Sequence, residues 1–313
     1  MFEGAIELIR ERGINWYMTV YISLVHVLGI AGLFYIPYCK WQTLAWAFAL
    51  WFLSGFGVCC ICHRLYSHRS YKANLPYRVM GMLLNSIANQ GSIVTWVFQH
   101  RCHHRASETE ADPHNAKISI FYAHMGWLFL HRSKEYRELR STINIDDLKA
   151  DGPVMFQKRF DPWWNWCWCF LFPALFGNYF WGESIINGFF VPGCLRYLYV
   201  LHATWTVNGF SHSNFGKRRF SNLDYGPSGH IIGGIMSLGE GLNHDYHHLF
   251  PYDYNNTLES WYETYNPSSM FIDFFAMIGW VTDRKTARKA WALKEQKMEE
   301  EKLKNHIEKV KAM

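Results

Sequence analysis

Three short stretches of the sequence are dense in imidazole: His63-Arg-Leu-Tyr-Ser-His68, His100-Arg-Cys-His103-His104 and His244-Asp-Tyr-His247-His248. His212 stands apart, shortly after Asn208. Residues three and four apart share one face of a helix, so each H-x-x-H-H stretch can aim three imidazoles into one space. His63 and His68 are five apart, about 140° around an ideal helix. They share a site only where the backbone unwinds a little or the site wraps around a helix end. Imidazole suits iron, zinc and copper, and no carboxylate is needed to hold the metal. Nine imidazoles are too many for one ion. Two neighbouring ions, each with four or five ligands, would use them, with adjacent histidines facing different metals. The H-E-x-x-H pattern of zinc hydrolysis is absent, and a structural zinc closed by four ligands would leave five histidines idle. The other seven of the 16 histidines, His26, His114, His124, His131, His202, His230 and His306, stand singly. They read as surface or packed side chains with satisfied hydrogen bonds.

The elements that must position these motifs are apolar runs. Runs at 16–38 and 43–62 precede the first motif, each with about the 20 residues that cross a bilayer as a helix. The short break between them makes an antiparallel hairpin. Arg10 and Arg12 flank one outer end and Arg64, Arg69, Lys72 and Arg78 the other, while the turn holds only Lys40. Both outer ends therefore face the cytosol by the positive-inside tendency. The stretch 79–98, interrupted by Asn85, Asn89, Gln90 and Gly91, reads as one helix on or near the membrane rather than a third span. Runs at 163–180 and 185–207 form a second hairpin, with Trp163, Trp164 and Trp181 at the interfaces. The predicted organisation is a cytosolic segment 1–15, a hairpin 16–62, a polar histidine region 63–162 and a hairpin 163–208. A cytosolic cap 209–283 and a charged helix 284–313 complete it. The fold class is an all-α membrane protein, with four transmembrane helices in two hairpins and a cytosolic helical cap carrying the histidine-rich site.

Composition fits a chain part in lipid and part in water. Half of the residues are hydrophobic and 18% are aromatic, yet the mean hydropathy is only −0.14. That much apolar surface excludes disorder. A net charge of +5 is too mild to argue for nucleic acid and suits an anionic leaflet. The eight cysteines lie mostly in apolar runs, which excludes a secreted disulfide scaffold. Cys59 and Cys62, formally a C-x-x-C, read as packing residues. Glu3, Glu7, Arg10, Glu11 and Arg12 make the start too charged for a cleavable signal peptide.

The motifs, in this order and between two hairpins, resemble the membrane fatty acyl desaturases, specifically the stearoyl-CoA (Δ9) desaturase family. The resemblance runs roughly from Trp16 to Lys285. It includes Ser107-Glu-Thr, Ala111-Asp-Pro-His-Asn115, Val154-Met-Phe-Gln157, Tyr179-Phe-Trp-Gly-Glu183, Ala203-Thr-Trp, Ser237-Leu-Gly-Glu-Gly241 and Phe250-Pro-Tyr-Asp-Tyr254. It implies a non-haem di-iron centre. His63, His68, His100, His104 and His248 match the ligands of one iron. His103, His212, His244 and His247 match those of the other, with Asn208 reaching it through a water. The implied reaction uses O2 and two electrons from cytochrome b5 and its reductase to place a cis double bond in an acyl chain. Gln90, Trp96, Thr204 and Trp205 match positions that bend that chain at the irons. Trp51 and Gly55 match the closed end of its tunnel, where Trp51 would shorten it and Gly55 lengthen it.

Some positions depart from the family. Met18, Gly91, Phe98, Gln99 and His131 stand where polar contacts to a CoA head group are expected. The head group is then held differently, with Arg132, Arg101 and the basic residues near Lys72 available for phosphates, or the acyl carrier is another lipid. Asn243 is one residue extra before the third motif and would shift it relative to Glu240. The ending Lys309-Val-Lys311-Ala-Met looks like a dilysine retrieval signal, consistent with an endoplasmic reticulum membrane and cytosolic termini. No His-Pro-Gly-Gly occurs, so the electron donor should be a separate protein. A lipid hydroxylase with the same histidine chemistry and an inactive membrane scaffold are the competing expectations.

Overall fold

The computed structural model describes residues 2–221 and 225–311. The retrieval-like ending, completed by Ala312 and Met313, lies outside the described residues. The fold is built almost wholly from helices. Among the described residues the one sheet is a two-residue pair, Lys72–Ala73 antiparallel to Val281–Thr282.

Two helices, Trp16–Tyr38 and Trp41–Ser67, are long and apolar enough to cross a membrane. Asn15 caps the first by accepting from the Met18 amide. The second apolar pair is also helical, over 163–181 and 185–210. Its Trp and Tyr content and the buried Arg196 keep its mean hydropathy low. Among the described residues no acid pairs with Arg196: it donates to the carbonyls of Pro192, Ile87 and Cys169 and to the Ser54 hydroxyl. Pro192 lacks an amide, and the helix around it, Phe189–Leu195, winds as a π-helix.

The two pairs pack side by side. The turns meet at Glu183, which accepts from the Lys40 amide at 2.8 Å and from the Thr43 hydroxyl. The Lys40 ammonium donates to the Trp181 and Gly182 carbonyls. Close approach requires small residues. A Cβ at Gly32 would lie 2.5 Å from the Phe190 carbonyl oxygen, and one at Gly29 would lie 2.6 Å from Leu198 Cδ2.

Two expectations change. The stretch 79–98 is not one helix. It is divided between Leu75–Ala88 and Ile93–Ala106. Asn89 (φ 49°) and Gly91 (φ 81°) take left-handed backbone, and the Ser92 hydroxyl caps the second helix. The second change is the end of the helix Trp41–Ser67, where Gly57–Ser67 is π-helical and fully buried. It packs against Tyr77, Ile93, Val97, Leu238 and Ile272 in the main apolar cluster. Cys59, Cys60 and Cys62 are free thiols inside that stretch.

Candidate metal centre

The π-helix resolves the spacing of the first motif. Its backbone bonds run i→i−5, and the His68 amide donates to the His63 carbonyl at 3.1 Å. Residues five apart thus fall on one side, and both imidazoles enter one site. His100, His103 and His104 project from Ile93–Ala106, His244, His247 and His248 from His244–Leu249, and His212 follows the helix 185–210.

Nine imidazoles form two groups. In the first, one ring nitrogen from each of His63, His68, His100, His104 and His247 lies within 4.8 Å of the others. In the second the same holds for His103, His212, His244 and His248. The division differs from that implied by the family resemblance: His247 and His248 exchange places. His247 Nε2 is 2.9 Å from His104 Nε2 and 3.0 Å from His63 Nε2, whereas His248 Nε2 is 3.2 Å from His244 Nε2. Adjacent histidines still face different groups.

The outer nitrogens show what the inner ones can do. His63 Nδ1 meets Glu240 at 2.9 Å, His103 Nδ1 meets Asp112 at 2.9 Å, and His212 Nδ1 meets Glu108 at 2.8 Å. His247 Nδ1 meets the Asn256 carbonyl oxygen at 3.2 Å. These oxygens accept, so each Nδ1 carries the hydrogen and each Nε2 is a bare lone pair. Several bare lone pairs at about 3 Å repel one another unless a cation sits between them. The donor set therefore fits metal ions, one per group. Burial, and then the neighbouring imidazoles, hold His68, His100, His104, His247 and His248 well below the usual imidazole range. Neutral rings are what a metal requires.

The outer carboxylates were not assigned roles from sequence. Burial alone would raise Glu240, but Arg64 and His63 hold it down at about 2. Arg64 is itself fully buried, and it meets Glu240 at 2.7 Å and donates to the Tyr254 carbonyl and the Ser269 hydroxyl. Burial, and then Asp112, push Glu108 up to about 7. Glu108, Asp112 and Glu240 lie within the quoted motifs, but only the fold shows which imidazole each one faces. Despite the extra Asn243, Glu240 reaches His63; Asn243 donates to the Thr257 hydroxyl.

A cavity of about 480 Å³ runs up to this centre, lined by Gln90, Trp96, His100, Thr204, Trp205 and Asn208 among others. Gln90 donates to the Thr204 hydroxyl at 2.7 Å and accepts from the Trp96 indole at 3.2 Å. Trp96 lies over His100, one helical turn away, with ring centroids 4.8 Å apart. A smaller chamber of about 50 Å³ shares Trp96, His100, Thr204 and Asn208 and continues to Val58, Cys59 and Ser237. Trp51 and Gly55 line neither space. The Trp51 ring packs on Phe52 and Tyr199. The space before Gly55 is filled by Leu238, whose Cδ1 would lie 2.5 Å from an added Cβ.

Of the departing positions, Met18, Gly91, Gln99 and His131 line the larger cavity. Phe98 does not; it lies under the Arg140 guanidinium at 4.7 Å. Arg132 lines the cavity too, its guanidinium over Trp127 at 4.2 Å. Arg101 is committed elsewhere, to both oxygens of Asp147 and to two carbonyls, and Lys72 pairs with Asp283 at 2.7 Å. Arg101 is thus occupied within the fold, whereas the Lys72–Asp283 pair is exposed and leaves Lys72 open to solvent.

No family model matches the chain. Individual proteins do. The chain is 41% identical over 275 residues to stearoyl-CoA desaturase from Sus scrofa, covering 88% of this chain and 75% of that protein. It is 40% identical over 275 residues to stearoyl-CoA desaturase from Homo sapiens, with the same coverage. Acyl-CoA desaturase 3 from Mus musculus is 39% identical over 279 residues, 89% of this chain and 76% of that protein.

Proposed function

Because the chain belongs to the stearoyl-CoA desaturase family, we propose that it is an acyl-CoA desaturase, an oxidoreductase that uses O2 to place a cis double bond, at Δ9, in a saturated acyl chain. The observation that carries this reading is the pair of converging imidazole groups beside a largely apolar cavity. Iron is the metal proposed for both groups, with the nine histidines as ligands and Asn208 acting through a water. Bound there, it would supply the oxidising power that unactivated methylenes require and that acid–base groups cannot.

The protein's own contribution is position. Gln90 latches Trp96 to Thr204 across the cavity. Trp205 lines the same cavity. A chain held there presents its methylenes beside His100, the near-attack placement that makes a selective reaction possible. Glu240, Asp112 and Glu108 fix which nitrogen of each ring faces inward.

Four spans in two hairpins are the proposed topology. Trp16, Tyr38, Trp41, Trp163 and Tyr179 are exposed near the helix ends, and Val20, Val27, Phe34 and Phe48 are exposed between them, the pattern of an aromatic belt around a lipid-facing surface. The proposed setting is the endoplasmic reticulum membrane with cytosolic termini, a separate cytochrome b5 and its reductase supplying electrons.

The test is expression in a desaturase-deficient cell followed by lipid analysis. A new cis double bond is expected. A new hydroxyl instead would make the protein a hydroxylase, and no product with no bound iron would make it a scaffold. Purified protein offered stearoyl-CoA and a phospholipid-linked stearoyl chain in parallel settles the carrier; preference for the CoA ester is expected.

A further inference from the structure

Three of the histidines outside the centre are not isolated. His26 comes from the helix Trp16–Tyr38, His202 from the helix 185–210 and His124 from the short helix Ile120–His124. His26 Nε2 is 3.2 Å from His202 Nε2, and His202 Nδ1 is 2.9 Å from His124 Nε2. His202 uses opposite edges of its ring for its two neighbours. The three are not among the groups whose ligand atoms lie within 4.8 Å of one another among the described residues, so the arrangement suits a chain of hydrogen bonds and not an ion.

One backbone carbonyl sets the protons along that chain. His26 Nδ1 lies 2.7 Å from the Ile22 carbonyl oxygen, which can only accept, so His26 Nδ1 carries the hydrogen. In the neutral ring its Nε2 must then accept, from His202 Nε2–H. His202 Nδ1 in turn accepts from His124 Nε2–H. His124 Nδ1 is left as a buried acceptor with no hydrogen-bond partner among the described residues. Each bond has one proton, and each ring is held in one tautomer and one orientation.

The chain lies against Trp205. The His26 ring is parallel to the indole within 15° at 6.2 Å, and His202 and His124 meet it edge-on at 5.1 and 5.9 Å. The indole also lines the 480 Å³ cavity. A large ring bordering a cavity needs packing on its other side to keep its orientation. We infer that His26, His202 and His124 form a hydrogen-bonded imidazole brace that fixes Trp205 against the acyl chain, and so act as positioning residues for where the double bond forms. This rests on the desaturase reading and adds residues that do not themselves meet the substrate cavity.

The test compares wild type with His202→Phe and His26→Phe, purified in the same detergent, measuring bound iron, kcat, KM for stearoyl-CoA and the double-bond position in the product. His202→Phe keeps a ring but removes two bonds; His26→Phe removes the bond to His202 and the one to Ile22. With iron content unchanged, His202→Phe should raise KM by about three- to tenfold, about one hydrogen bond's worth because the two lost bonds act on the substrate only through Trp205, and yield neighbouring double-bond isomers. His26→Phe should do the same to a smaller degree. Unchanged KM and a single isomer in a variant that retains iron would overturn the brace. Should His202→Phe fail to accumulate, His26→Phe decides between the same outcomes. A wild type that forms no double bond would defeat the desaturase reading instead, so the two failures are distinct.

Discussion

The molecule holds two assemblies of imidazoles, and they are wired in opposite ways. At the centre the rings converge: outer oxygens hold hydrogens on Nδ1, and the Nε2 lone pairs gather inward. At His26, His202 and His124 the rings run in series, each nitrogen facing one partner, with tautomers set from one end. Spacing between nitrogens is about 3 Å in both, so distance alone does not separate them. What separates them is where the hydrogens sit. Convergent lone pairs need a cation, whereas serial rings already satisfy one another apart from the last nitrogen.

The largest break in the comparison comes from the convergent side. His247→Ala removes a ring that meets both His63 and His104. Desaturation should fall to background and the bound iron should drop, read by product analysis and metal content. Glu240→Ala should act differently. It strips the acid from Arg64, which is fully buried, and an uncompensated buried charge costs about 3–5 kcal/mol. Thermal unfolding in detergent should show that loss, alongside weaker iron binding. Glu240→Gln keeps an acceptor for His63 and Arg64 and should lose less. Equal losses in the two variants would mean that the charge, which both remove, and not the hydrogen-bond acceptor is what Glu240 provides.

A smaller perturbation can be aimed at the serial side. Gly29 lies one turn from His26, and its missing Cβ makes room for Leu198, one turn from His202. Gly29→Ala forces the two helices apart at about 1–3 kcal/mol, the usual cost of overpacking. Iron content should stay constant while the product isomers spread as in His202→Phe. Loss of iron in Gly29→Ala would show that the two assemblies are mechanically one.

Much of the convergent assembly was legible in the sequence, because three dense motifs leave few alternatives. That adjacent histidines face different groups was legible as well, but which ones join was not, and the family resemblance placed His247 and His248 the other way round. On an ideal helix, residues four apart differ by about 40° and residues three apart by about 60°. The i,i+4 pairs His100/His104 and His244/His248 accordingly share a group, and His103 and His247 cross to the other. The π-helix was not legible: nothing in Cys59-Cys-Ile-Cys-His-Arg announces i→i−5 bonding, and only the helix's tight contacts explain it. The serial assembly was hidden for another reason. His26, His124 and His202 are far apart in sequence, and each alone is indistinguishable from a packed histidine. The second hairpin is an intermediate case, visible as aromatic runs even though Trp and Tyr contribute little to mean hydropathy.

The smallest expected effect concerns the rim of the convergent centre. Asp147 bonds to Arg101 through both oxygens, at 2.6 and 3.1 Å, and to Arg69 at 2.9 Å. Arg69 follows His68 in the chain and Arg101 follows His100, so one carboxylate ties together two segments that deliver rings to the first group. Burial would raise Asp147, but the hydrogen bonds from Arg101 and Arg69 outweigh it and hold the carboxyl at about 2. Its folded value lies below its unfolded one, near 4. The stabilisation is therefore fully present above about pH 4 and is lost as the pH falls through about 2. Asp147 is partly exposed, so solvent screening keeps the effect small. Asp147→Asn should lower the thermal midpoint slightly at neutral pH and flatten the acid limb of the stability profile between about pH 4 and pH 2. The double-bond position should not move, because the serial brace lies elsewhere. A change in product isomers in Asp147→Asn would mean that the geometry of the first group, and not the packing behind Trp205, chooses the reacting carbon.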